Sequence, residues 1–178
     1  MIGFLRLIGL LNSALWLGTT VFFTFGMNPV ASSASMRGLL GAGNYPYFSV
    51  AIAQVLVARY FWWQCGCSFV AVLHVAAEWL YFGKVPRRFW LGLLAGLVSI
   101  NLLGALWLAP HLKEWHTMQY ALNASPQRQE AAGRTFRAWQ RVFQTFNLIT
   151  VAGVAIYFLR IANPPDPARF VSAVKFRS

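Results

Sequence analysis

Acidic residues are nearly missing, with four Asp and Glu against fifteen Lys and Arg in 178 residues. Charge of either sign is scarce at 11%, whereas 58% of the chain is hydrophobic and the mean hydropathy is +0.52. A soluble domain of this size could not bury so much apolar surface, so that class is excluded. No paired-carboxylate constellation, nucleophile elbow or Gly-rich phosphate loop is present, and a non-enzyme is expected. The two cysteines, Cys65 and Cys67, provide no disulfide framework. On a helix, neighbours two apart point about 200° from each other, so the pair neither chelates together nor bonds to itself, and both read as small packing residues.

What is abundant is uncharged apolar sequence. A bilayer core of about 30 Å takes about 20 helical residues. Four such runs occur: 7–27, between Arg6 and Asn28-Pro29; 60–82, between Arg59 and Lys84; 89–109, between Arg88 and Pro110; and 142–161, between Arg141 and Asn163-Pro164. The prolines read as helix stops. Such runs are too long and too uniformly apolar for barrel strands, which predicts an all-α, integral membrane four-helix bundle over 1–162 with a basic tail at 163–178. The first run exceeds the roughly 7 to 15 residues of a signal-peptide core and is expected to be retained.

The net charge of +11 would suggest nucleic acid in a soluble chain. Here the cations flank the apolar runs, so no nucleic-acid partner is expected. Arg6, Lys84, Arg87, Arg88, Arg160, Arg169, Lys175 and Arg177 share one membrane side; Arg37, Arg59, Lys113, Arg128, Arg134, Arg137 and Arg141 share the other. The compact cluster in the shortest loop, Lys84, Arg87 and Arg88, places both termini in the cytoplasm.

The segment between the first two runs reads as a loop from Ser32 to Asn44, followed by an apolar stretch that is either an interfacial helix or the start of a long second helix through Arg59. Ser125-Pro126 offers an N-cap and a proline at the first helical position, predicting an amphipathic loop helix that leads into the fourth span. Its Arg134, Arg137 and Arg141 fall on one arc, with Phe136, Trp139, Phe143 and Phe146 opposite. The arginines suit headgroups, anionic lipid or a partner protein. The eight tryptophans lie mostly near span ends and read as interface anchors, with pigment or aromatic-ligand contact as the alternative.

The second span gathers Gln64, Cys67, Ser68, Ala71, His74 and Glu78 on one arc. Ionisable groups near the hydrocarbon centre cost several kcal/mol unless partnered, so this face should turn inward. His74 and Glu78 are four apart and can meet. Interhelical packing, a proton relay, a metal pair and a haem ligand with an orienting carboxylate all remain open for them. A metal site wants more ligands, and His111 and His116 lie in the loop after span three; no other span carries a histidine for bis-histidine haem ligation. Asn12, Asn101 and Asn147 read as hydrogen-bond partners across the bundle or as the lining of a polar cavity, while Gly92, Ala95, Gly96 and Ser99 form a small-residue face for close helix approach.

Trp16-Leu17-Gly18 with an aromatic run to Pro29, Val57 to Phe61 leading into span two, and Trp107-Leu108-Ala109-Pro110 closing span three carry a resemblance. So do Phe136, Trp139, Gln140 and Asn147 before and within span four. Together they resemble the four-helix membrane proteins of the transmembrane-protein-205-like family, found in bacteria as a domain of unknown function. Relatives carry His where this chain has Gln140, and Ser where it has Phe143. The resemblance implies the fold, a bacterial cytoplasmic membrane as the location, and no reaction. The expected function is an accessory or scaffolding subunit of a larger membrane complex, with other integral membrane proteins and lipids as partners and no required cofactor. The alternative is a handler of a small molecule, ion or cofactor around His74, Glu78, Gln64, Asn101 and Asn147.

Overall fold

The computed structural model describes residues 2–82 and 88–163. Lys84, Arg87 and all of the basic tail beyond Asn163 lie outside the described residues. Among the described residues every regular element is helical, as expected where a bilayer leaves no water to satisfy backbone groups. Helix α1 (Ile2–Val21) passes through a π-helical segment, Phe22–Met27, into a single turn, α2 (Asn28–Val30). After the turn at 31–33 comes α3 (Ala34–Phe82), then α4 (Arg88–Leu103), a second π segment (Gly104–Leu108), α5 (Ala109–Gln119) and α6 (Pro126–Ala162). Four of these helical stretches are long and apolar enough to cross a membrane: Phe4–Met27, Tyr47–Tyr81, Arg88–Gln119 and Pro126–Ala162.

The expected loop at 32–44 is helix instead. Ser33 caps α3, its hydroxyl accepting from the Met36 N–H at 3.1 Å. The one break inside α3 is Gly41, at φ 73° and ψ 157°, a backbone that side chains other than glycine's rarely adopt. Helix two therefore runs uninterrupted through Arg59, the second of the two alternatives. The N-terminus of α6 falls where Ser125-Pro126 predicts it, with Ser125 extended, but the serine hydroxyl makes no cap bond.

Pro110 does not stop the third span. Two of the prolines expected to end a helix follow a π segment, Pro29 after Phe22–Met27 and Pro110 after Gly104–Leu108. A proline lacks an N–H and its ring collides with the carbonyl four residues back, here Leu106 and Phe25. Widening the turn moves that carbonyl aside: the Ala109 N–H reaches back to the Gly104 carbonyl. The Trp107 carbonyl accepts from the His111 ring at 2.7 Å. The helix continues to Gln119, so His111 and His116 sit on α5 and not in a loop.

Contacts fix an antiparallel ring of α1, α3, α4 and α6. Asn12 bonds Cys67 across α1 and α3, Asn101 bonds Ser68 across α4 and α3, Leu97 packs on Gly153 of α6, and Trp16 meets Tyr157 to close the ring. Two apolar clusters fill it. One, around Trp16, Ala71, Leu97 and Val154, lies toward the end where α1 begins; the other, around Phe23, Tyr60, Phe61, Leu108 and Phe143, lies toward the opposite end. Close approach comes at Gly9 against His74, Gly104 against Phe61 and Gly153 against Leu97, where a Cβ would strike the neighbour. The expected small-residue face is elsewhere: Gly92, Ala95, Gly96 and Ser99 are all exposed, with nothing within 4 Å of a Cβ at either glycine.

The helices outrun the membrane on one side. At 1.5 Å per residue, the 37 residues of α6 make about 55 Å and the 32 of Arg88–Gln119 about 48 Å, against a hydrocarbon core of about 30 Å. The apolar part of α6 lies in its C-terminal half, so the excess projects from the end opposite the described N-terminus. There α5, the first half of α6 and the first part of the long stretch of α3 pack through Tyr47, His116, Tyr120 and Phe136, and through Trp107, Trp115 and Trp139.

Candidate functional site

The polar arc of the second span faces inward as its spacing requires. Gln64, Cys67, Ser68, Ala71 and His74 are buried, while Phe69, Leu73 and Leu80 are exposed. Gln64 sits between the two apolar clusters, its carbonyl oxygen accepting from the Trp16 indole N–H and its amide donating to the Thr20 hydroxyl at 2.8 Å. Thr20 in turn donates to the Trp16 carbonyl at 2.7 Å. Asn101 donates to the Ser68 hydroxyl at 2.9 Å, and Asn12 to the Cys67 carbonyl at 3.0 Å. A belt of short polar side chains thus ties α1, α3 and α4 together at mid-bundle, the arrangement that substitutes for hydrophobic pairing inside a bilayer.

Asn147 is the exception. The register set by Leu97 on Gly153 and by Trp107 on Trp139 brings it to the depth of Asn101, and it is 2% exposed, yet its amide nitrogen has no partner.

His74 and Glu78 do not pair with each other. His74 bonds the Leu5 carbonyl at 3.1 Å through Nε2. A carbonyl only accepts, so Nε2 donates this bond, and Nδ1 is buried without a partner. Gly9 lies flat against the same ring and leaves no room for a side chain. Glu78 faces Arg160 of α6 at 3.5 Å, and Arg160 also lies 5.2 Å from the Trp90 ring. This partly buried group lies at the end of the bundle where Arg6 also reaches the terminal Ala162 carbonyl of α6 at 3.4 Å. Residue spacing offered Glu78 to His74; only the fold supplies Arg160.

The basic stripe is as drawn from the sequence: Arg134, Arg137 and Arg141 are exposed, and Arg134 pairs with Glu130 at 2.7 Å. The opposing aromatics are spent internally. Phe136 is buried beside His116, and Trp139 stacks on Trp115 at 5.9 Å and meets Trp107 edge-on at 4.7 Å. Only the arginines of this set are left to meet anything outside.

Among the described residues no group of three or more His, Cys, Asp or Glu could hold a metal ion. Cys65 and Cys67 are free thiols. Trp16 and Thr20 were the missed partners, although Ser13, Trp16 and Thr20 follow the three- and four-residue steps of one α1 face. Lys113 and His116 were missed as helical groups because Pro110 was read as a stop.

A family model described as a domain of unknown function (DUF4149) matches residues 11–121, from the middle of α1 to just past α5. The chain belongs to this family. Its matched part holds Gln64, Ser68, His74, Glu78 and Asn101, whereas α6 with Asn147 and the arginine stripe lies beyond the match. No curated protein and no solved structure is significantly similar to the chain.

Proposed function

We propose that the protein is a non-enzymatic accessory or scaffolding subunit of a larger membrane assembly, partnered by other integral membrane proteins. The observation that carries this reading is the exposed face of Gly92, Ala95, Gly96 and Ser99 on α4. Lipid tails gain nothing from small residues, whereas a second helix can approach close to the backbone over them. The belt of Gln64, Asn101 and Asn12 is engaged within the bundle, which leaves the outer surfaces for partners. The exposed Arg134, Arg137 and Arg141 add a basic docking face outside the hydrocarbon layer. The motif resemblance to transmembrane-protein-205-like proteins belongs to the same reading.

The test is native mass spectrometry on protein drawn from its own membranes in mild detergent. A reproducible complex heavier than the 20.0 kDa chain is expected, lost in a Gly92→Leu, Gly96→Leu variant that keeps its helicity. Wild-type protein that always emerges as a lone chain would refute the proposal. The location within this reading is a bacterial cytoplasmic membrane with both termini cytoplasmic. Leu122, 97% exposed in the turn between α5 and α6, would then lie outside. In a chain without its own cysteines, Leu122→Cys should react with an impermeant maleimide in intact cells; reaction only after permeabilisation would reverse the orientation.

A second reading is favoured by two buried orphan atoms, Nδ1 of His74 and the amide nitrogen of Asn147. They suit a small molecule, ion or proton handled inside the bundle. Extra non-protein mass on the lone chain that disappears in His74→Leu would support it; unchanged mass and unchanged transport would remove it.

A further inference from the structure

We propose that the groove between α3 and the α4–α5 unit holds an anionic phospholipid by its phosphate. The groove has a volume of about 550 Å³, within the range of ligand sites in general. Trp62 and Ala105 line its membrane end, Tyr47 and Thr117 its outer end, and Arg59 and Lys113 its walls. The apolar run 60–82 begins just after Arg59, and the run 89–109 ends four residues before Lys113. The Gln54 amide donates to the Leu112 carbonyl at 3.1 Å, so Lys113 lies about six residues, or about 9 Å, further out than Arg59, and the two cations bracket the boundary where phosphates lie.

The charge of the groove is one-sided. None of its lining residues is acidic. Among the described residues the ion pairs are Arg134–Glu130 and Arg160–Glu78, so neither Arg59 nor Lys113 is held in an ion pair. Both are exposed, which keeps them open to a ligand arriving from the lipid. A guanidinium presents a planar fork to two phosphate oxygens and an ammonium adds a movable point charge. Trp62, 60% exposed, offers an aromatic plane at the level where the headgroup gives way to acyl chain. A phosphate bearing no cation of its own fits this field; a choline headgroup would bring a positive charge toward Arg59 and Lys113. The site stands whether or not the chain has protein partners.

The experiment is a lipid titration of the full, delipidated chain in detergent, followed by native mass spectrometry with phosphatidylglycerol and phosphatidylcholine. Wild type should prefer phosphatidylglycerol by about tenfold or more, and Arg59→Gln with Lys113→Gln should abolish the preference. Arg37→Gln with Arg128→Gln, which removes the same charge elsewhere, should keep it. Ala105→Trp, which fills the membrane end and spares both cations, should also lose the lipid. No preference in wild type, preference retained in the Arg59, Lys113 variant, or binding retained in Ala105→Trp would each overturn the proposal. Equal binding of deacylated glycerophosphoglycerol, or displacement of the lipid by inorganic phosphate, would overturn the lipid in favour of a free anion.

Discussion

Replacing Gln64 with leucine should destabilise the bundle by about 2 kcal/mol. Gln64 is fully buried and makes two bonds to α1, accepting from Trp16 and donating to Thr20. Interhelical hydrogen bonds in a bilayer average about 0.6 kcal/mol each, so their loss removes about 1.2 kcal/mol. The Thr20 hydroxyl keeps its own bond to the Trp16 carbonyl and is not stranded. The Trp16 N–H is stranded in an apolar core, which adds about 1 kcal/mol or more. Leucine has a similar volume and creates no large cavity. Adding Trp16→Phe to Gln64→Leu removes the stranded donor, so the double variant should be more stable than the two single losses predict, by about 1 kcal/mol. Reversible unfolding in mixed detergent micelles measures all four corners of the cycle. A Gln64→Leu variant as stable as wild type, or a coupling within about 0.3 kcal/mol of zero, would refute the view that the mid-bundle belt is a clasp.

Two glycines of the third span should respond unequally to alanine in the same assay. Gly104→Ala drives a Cβ into the buried Phe61 ring and should cost about 1–3 kcal/mol, recovered in part by Phe61→Leu, whereas Gly96→Ala meets nothing and should change stability by less than about 0.5 kcal/mol. Asn101→Leu should destabilise by about 1 kcal/mol through loss of its bond to Ser68, while Asn147→Leu, which removes an unpartnered donor, should be neutral or stabilising. A costly Asn147→Leu would mean that its amide serves something bound. Glu78→Gln should cost no more than about 1 kcal/mol, since the pair with Arg160 is partly exposed and 3.5 Å long; a larger loss in thermal unfolding would contradict the geometry.

The residues that hold the candidate site were legible in the sequence to different degrees. The inward face of α3 was readable because polar and small residues at three- and four-residue steps can face only one way in a hydrocarbon solvent. Their partners were not. Spacing on one helix joined His74 to Glu78, but the bond that each makes depends on which helix stands opposite, so Leu5 and Arg160 emerged from the packing. Gly92 and Gly96 have the pattern of an interface, and sequence cannot say whether that interface lies within the chain or outside it.

Composition and run length alone determined the solvent and the architecture: four apolar runs without charge admit only spanning helices, because a bilayer leaves no other way to satisfy the backbone. The tertiary structure decided where those helices end and what they enclose. A proline's local effect is to stop a helix, yet π turns stabilised by packing around Phe61 and Leu108 carry the third span past Pro110. That extension puts Lys113 beside the groove that Arg59 also lines, two residues 54 positions apart that no local rule joins.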